Sequence, residues 1–138
     1  SGAGFPGLVI AILASEHGGT RHTLIESDSR RSAFLREVAR ATGVVVDILC
    51  MRIEIPETRA KVGEVNCITA RALAPLPRLI ELAYPYFGTG TAGIFSKGRE
   101  VSAEIEDAAR AWQFEADLRQ SVTDPEGTVL VLKSLTRR

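Results

Sequence analysis

Ser1-Gly2-Ala3-Gly4-Phe5-Pro6-Gly7 runs straight into Leu8-Val9-Ile10-Ala11-Ile12-Leu13-Ala14, and His22-Thr23-Leu24-Ile25-Glu26 follows a short polar interval later. Gly2, Gly4 and Gly7 have G-x-G-x-x-G spacing. Without Cβ atoms, the backbone N–H groups of such a turn approach a ligand closely, and a helix starting there points its positive end at an anion. Alone, the pattern fits an ordinary surface turn as well. Glu26 adds to it, because an acid about 20 residues past the glycines, at the end of the next strand, can accept hydrogen bonds from a ribose diol. The plainer alternative for Glu26 is a solvated strand-end carboxylate. The apolar run 8–14 is too short for periodicity to separate helix from strand, and its place after the glycines favours a helix buried on a sheet.

Working outward, Asp28 or Ser29 can cap a helix whose apolar positions Phe34, Val38 and Ala41 recur at helical spacing and which Gly43 ends. Val44-Val45-Val46-Asp47-Ile48-Leu49 is β-branched and reads as a strand. After a polar stretch from Arg59 to Glu64, Cys67-Ile68-Thr69-Ala70 reads as another. Pro75 and Pro77 suit the first turn of a helix with Leu76, Leu79, Ile80, Ala83 and Phe87 on one face. Gly88, Gly90 and Gly93 loosen the chain ahead of a strand from Ala92 to Ser96. Val101, Ile105, Ala108 and Trp112 share a helix face. Phe114 to Leu118 and Thr128 to Lys133 are strands joined by the turn Asp124-Pro125-Glu126-Gly127, and such a short link makes them antiparallel. Alternating β and α closed by a hairpin predicts an α/β fold with a mostly parallel sheet, and no repeat divides residues 1–138 into more than one domain.

The glycine turn normally follows a buried strand that makes it rigid. No such strand stands before Ser1, so an upstream continuation carrying the first strand is expected.

The 138 residues are 45% hydrophobic and 25% charged, which is ordinary for one globular domain. Seventeen basic residues balance seventeen acidic ones, so any nucleic-acid site has to be a local patch. Cys50, Cys67, His17 and His22 lack metal-ligand spacing, so no metal is expected. The two cysteines read as buried thiols suited to a reducing cytoplasm. No signal peptide and no membrane-spanning apolar run is visible.

Glycines plus an acid fit either a nicotinamide dinucleotide or S-adenosylmethionine, since both present adenosine. In an open parallel sheet, ligands sit beyond the carboxyl ends of the strands. Those ends read Glu26-Ser27, Arg52-Ile53-Glu54, Arg71 and Lys97-Gly98-Arg99. Any one of them fits an exposed loop; four in succession along one rim favour a site. The closing hairpin favours a methyltransferase sheet over a dehydrogenase.

The glycine turn, the Arg52-Ile53-Glu54 triplet, Thr69-Ala70-Arg71-Ala72-Leu73-Ala74-Pro75-Leu76 and Ser96-Lys97-Gly98-Arg99 resemble the RsmG/GidB family in order and spacing, over essentially the whole chain. T-A-R-A-L-A-P-L followed by K-G is the selective part. The resemblance implies a class I (Rossmann-like) S-adenosylmethionine-dependent methyltransferase that modifies N7 of a guanine in bacterial 16S ribosomal RNA, free or in the small ribosomal subunit, in the cytoplasm. It implies that Gly2, Gly4, Phe5 and Gly7 line the methionine and adenosine pocket. Glu26 would bind the ribose with Ser27 nearby, and Ile53 and Glu54 would flank the adenine. Arg71 would lie by the cofactor and the target base, and Lys97 and Arg99 would lie where RNA is met. Arg71 and Lys97 are thus the candidate catalytic residues. Asn66 departs from the acid that methyltransferases often carry at the entry to this strand.

Guanine N7 has a free lone pair and no proton to lose, so an in-line transfer needs no general base. Arg71 keeps three readings: a strand-edge ion pair, a contact to the cofactor carboxylate, or a fork on the guanine edge. Arg30, Arg31, Arg36 and Arg40 alternate with acids like a solvated helix face. Arg137 and Arg138 fit either a phosphate contact or a frayed tail. A methyltransferase of another substrate and a non-catalytic binding fragment stand as rival readings.

Overall fold

The computed structural model describes residues 1–138, whose contacts gather into two units, Ser1–Val62 and Gly63–Arg138.

The first unit contains α1 (Gly7–Ala14), β1 (Thr23–Ile25), α2 (Ser29–Thr42), β2 (Asp47–Leu49) and α3 (Pro56–Val62). Its two strands pair in parallel, Thr23 opposite Asp47 and Ile25 opposite Leu49. Of the two possible caps for α2, Asp28 is the one used: its carboxylate accepts the Arg31 N–H at 2.9 Å. Gly43 ends the helix in the left-handed conformation at φ 71°. Leu8, Leu24 and Leu35 form the buried centre, with Ile12, Val38, Val44, Val46 and Ile48 around them.

Two expectations change here. The strand expected over 44–49 covers only Asp47–Leu49, because its partner β1 is three residues long and offers no ladder to Val44–Val46. Val44 and Val46 pack on the leucine centre instead, while Val45 points to solvent at 89% exposure. The stretch 59–64, read as merely polar, is largely α3. Its signals were present: Pro56 at the start, Glu57 in the first turn, Arg59 and Lys61 in the last, and Gly63 beyond at φ 72°.

The second unit contains β3 (Val65–Arg71), α4 (Leu76–Ala83), a 3-10 turn (Tyr84–Tyr86), β4 (Phe87–Lys97), α5 (Val101–Ala108), β5 (Trp112–Gln120) and β6 (Thr128–Arg137). The sheet order is β3-β4-β6-β5. β3 and β4 run parallel, while β6 is antiparallel to both β4 and β5. The hairpin expected at the C-terminal end is therefore present, and its second strand lies inside the sheet. Phe95, Leu130 and Leu132 are fully buried on one face, against Leu76, Leu79, Ile80 and Ala83 of α4 and Ala108 of α5.

β4 runs longer than expected, through the glycines rather than after them. Val65 pairs with Phe87, and the next pair is Cys67 with Ala92, so the intervening residues of β4 loop outward. Thr91 stitches that bulge shut: its hydroxyl donates to Val65 O at 2.5 Å and accepts the Gly88 N–H at 2.9 Å. Gly93 is fixed by packing, since a Cβ there would lie 2.6 Å from the Phe95 ring. Trp112 opens β5 rather than extending α5, yet it is buried in the same apolar cluster. Arg137 places its guanidinium 5.0 Å from the Trp112 ring centre, and Arg138 Nε donates to Ala109 O at 2.8 Å. Neither arginine is a frayed tail.

Cys50 and Cys67 are both exposed, against the expectation of buried thiols. Cys50 follows the end of β2, and Cys67 sits on β3, an edge strand of its sheet. No group of three or more His, Cys, Asp or Glu side chains gathers into a metal-binding cluster, and no helix is long and apolar enough to cross a membrane.

Candidate functional site

In the first unit, the glycine turn and the end of β1 are tied together by one carboxylate. Glu26, 8% exposed, accepts the Gly2 N–H on Oε1 at 2.6 Å and the Asp28 N–H on Oε2 at 3.0 Å. The Ser1 nitrogen donates to Ile25 O at 2.8 Å and lies 3.3 Å from the same Oε1. The main chain is held as well, since the Ser32 hydroxyl donates to Glu26 O at 3.1 Å. Burial pushes the Glu26 carboxyl upward, the N–H groups of Asp28 and Gly2 pull it down, and the group sits below its ordinary value. The group is thus an ionised, buried acceptor rather than a solvated strand end.

The three glycines have separate reasons. Gly2 and Gly4 take positive φ, 53° and 94°, which side chains rarely adopt. Gly7 instead opens α1 directly over β1: a Cβ there would meet Leu24 Cδ2 at 2.6 Å. Together these reproduce the division of labour of a nucleotide-binding turn, with tight backbone at the front and close helix–strand packing behind. Phe5 is 53% exposed beside it. Ser27 is exposed just past Glu26, and half-buried Ile53 and exposed Glu54 lie between β2 and α3. All the candidate cofactor residues except Arg71 belong to this unit.

Each Glu26 oxygen carries two lone pairs; Oε1 faces both the Gly2 and Ser1 nitrogens, while Oε2 takes only the Asp28 N–H and keeps acceptor capacity for a ribose hydroxyl. Open backbone at Gly2 beside such an acceptor fits the adenosine end of S-adenosylmethionine.

In the second unit, Arg71 ends β3, opposite Ser96 of β4, and is exposed. Ala72 follows with φ 51°, an uncommon conformation for a residue with a Cβ. Lys97 ends β4, but its side chain, 8% exposed, turns inward. Its ammonium donates to Ala74 O at 3.1 Å and pairs with Glu104 Oε2 at 2.5 Å. Glu104 Oε2 also accepts the Leu76 N–H at 2.6 Å. The expectation of Lys97 as a catalytic, RNA-facing residue is therefore revised: a buried ammonium needs its counter-ion, and this one has been taken up by the protein itself. Arg99 remains at the surface, 3.3 Å from Glu126. Sequence reasoning missed Glu104, whose only signal was its place on α5 within reach of the K-G turn.

The sequence model of the GidB family, described as rRNA small subunit methyltransferase G, matches residues 1–133. The chain belongs to this family. Ribosomal RNA small subunit methyltransferase G of Parvibaculum lavamentivorans is 47% identical over 135 residues, which are 98% of this chain and 59% of that protein. The protein of the same name from Paramagnetospirillum magneticum is 45% identical, over 99% of this chain and 63% of its own length. The chain thus spans about six-tenths of these GidB relatives.

Solved structures share the fold at lower identity. A ribosomal protein L11 methylase from Lactobacillus delbrueckii subsp. bulgaricus aligns with TM-score 0.67 at 18% identity, over 96% of this chain and 65% of that one. Aeropyrum pernix fibrillarin in complex with S-adenosylmethionine aligns with TM-score 0.61 at 15% identity, over 81% of this chain and 55% of that one. This GidB member has the class I methyltransferase fold, α/β with parallel strands and antiparallel strands at its C-terminal end.

Proposed function

We propose that residues 1–138 serve as one methyltransferase domain that passes a methyl group from S-adenosylmethionine to N7 of a guanine in 16S ribosomal RNA. The observation that carries this reading is the GidB family match across residues 1–133. The Glu26-anchored glycine turn supports the cofactor half of it. A cytoplasmic location goes with that substrate, which is either free 16S RNA or the assembled small subunit.

When bound, S-adenosylmethionine supplies an electrophilic methyl group. The chain's own part is binding and placement. Glu26, with Ser27 beside it, receives the ribose hydroxyls; Gly2 leaves the backbone open toward the methionine and adenosine ends, Gly4 and Gly7 let the turn pack on Leu8, Leu35 and Leu24, and Phe5 lies at the edge. Ile53 and Glu54 flank the adenine. Arg71 offers a planar fork that suits the O6/N7 edge of guanine or the cofactor carboxylate. No side chain has to remove a proton, because N7 is already a free lone pair; orientation alone can supply about 7–11 kcal/mol in favourable cases.

Transfer of labelled methyl from S-adenosylmethionine by the full-length protein tests the proposal. Label should enter 16S RNA or small subunits, and borohydride–aniline treatment should then cleave the RNA at the modified position, as N7-methylated guanine requires. Label appearing only in protein or small molecules would refute the RNA reading, and no binding of the cofactor would refute the enzyme.

A further inference from the structure

Glu104 Oε2 is shared by two donors from different places in the chain. One is the Lys97 ammonium at the end of β4; the other is the Leu76 N–H at the start of α4. Lys97 reaches Ala74 O as well. Between them, a β4 residue and an α5 residue grip the short connection from Arg71 to α4 at two backbone atoms, one carbonyl and one amide.

Elsewhere along that connection, Ala74 packs at the edge of the apolar cluster. Pro75 and Pro77 have no N–H, so Leu76 offers the one amide among the three residues. Ala72 and Leu73 are exposed, Leu73 at 54%, and Ala72 holds a positive φ, which persists only where the surroundings enforce it. Leu76 is fully buried at the other end. The exposed, strained part of the segment is the part directly attached to Arg71.

We propose that Lys97 and Glu104 are positioning residues: their ion pair fixes the Ala72–Leu76 segment and so aims Arg71 for methyl transfer. The proposal rests on the methyltransferase reading above. It gives Lys97 a task inside the protein, distinct from contact with RNA, and gives Glu104 a task in the reaction. Removing the ammonium frees Ala74 O and leaves Glu104 without a counter-charge, so the segment loses its fixed shape while the Glu26 turn is unaltered. Turnover should then fall, and cofactor affinity should change no further than it does when Arg71 itself is removed.

Lys97→Met, Lys97→Arg and Glu104→Gln in the full-length protein test this, at a temperature where circular dichroism shows each folded. Lys97→Met should lower kcat by about tenfold or more, and shift the cofactor Kd no further than Arg71→Ala does. Its Leu76 amide should exchange about tenfold faster, with the β4–β6 ladder amides unchanged. Lys97→Arg, which keeps the charge, should recover part of the kcat. Glu104→Gln, which keeps an acceptor near Leu76, should also lose turnover, and it carries the test if Lys97→Met does not fold. Wild-type kcat with only a lower melting temperature would overturn the proposal, as would unchanged exchange at Leu76. A wild-type protein that binds cofactor but methylates no RNA would sink the functional reading separately; accelerated Leu76 exchange would still establish the grip on the segment.

Discussion

Gly2 donates its backbone N–H to Glu26 Oε1 at 2.6 Å, so the carboxylate proposed to receive the ribose also holds the glycine turn in place. Pocket wall and ligand contact are the same side chain. Glu26→Ala should therefore act twice. Stability should fall by about 1–3 kcal/mol because the Gly2 and Asp28 amides lose their acceptor. Cofactor affinity should fall by about tenfold or more, a loss near 1.4 kcal/mol. Denaturant melts and calorimetry measure the two; wild-type affinity in a folded variant would remove Glu26 from the site.

The same carboxylate sets an acid limit. Although burial pushes it up, hydrogen bonds from Asp28 and Gly2 bring its folded value below the ordinary 4.5. Folding thus favours the ionised form, so the contribution is complete above the unfolded value and is lost as pH falls through the lower folded one. The stability gap between wild type and Glu26→Gln should be widest near neutrality and close below about pH 4.5. A gap that widens in acid would contradict the sign.

Arg71→Ala should separate chemistry from folding. With Arg71 exposed at the end of its strand, its loss should cut methyl transfer far more than it cuts stability. If it holds the guanine or the cofactor carboxylate, kcat/KM should drop by about 100-fold, near 2.7 kcal/mol. Wild-type turnover in this variant would leave only the strand-edge reading.

Gly7→Ala tests the packing behind the turn. Its Cβ would fall 2.6 Å from Leu24 Cδ2, and Leu24 is 4% exposed in a small core. Overpacking of this kind costs about 1–3 kcal/mol, seen in a denaturant melt. Gly2→Ala has open space around its Cβ and meets only the positive φ, so it should cost less.

Thr91→Val keeps the shape and removes the hydroxyl that closes the β4 bulge. Val65 O and Gly88 N then lose a partner, at about 1–3 kcal/mol. A melting curve identical to wild type would mean the bulge closes without the hydroxyl.

The glycine turn, the acid at Glu26, the Asp28 cap and the closing hairpin could all be read from the sequence, because each rests on local chemistry: missing Cβ atoms, a side-chain acceptor before a helix, a short turn between strands. Three features could not. The strand at Val44–Val46 failed for want of a ladder partner, which local β propensity does not reveal. The bulge in β4 depends on Thr91 finding Val65 O, a contact between distant residues. Lys97 looked like a surface charge by its K-G context, and only its meeting with Glu104 and Ala74 shows it facing inward. The helix α3 belongs to neither group: Pro56, Glu57, Lys61 and Gly63 announced it, and its lack of a clear apolar face hid it.

β6 lies between β4 and β5, and β5 has no other neighbour in the sheet. During synthesis, Trp112–Gln120 therefore emerges before the strand it must pair with exists. Until Thr128–Arg137 has left the exit tunnel, both β4 and β5 present bare edges, and bare edges pair with whatever is near. Assembly of this sheet waits for β6 to be made, and a chain cut short before Thr128 would leave the sheet unfinished and prone to aggregate.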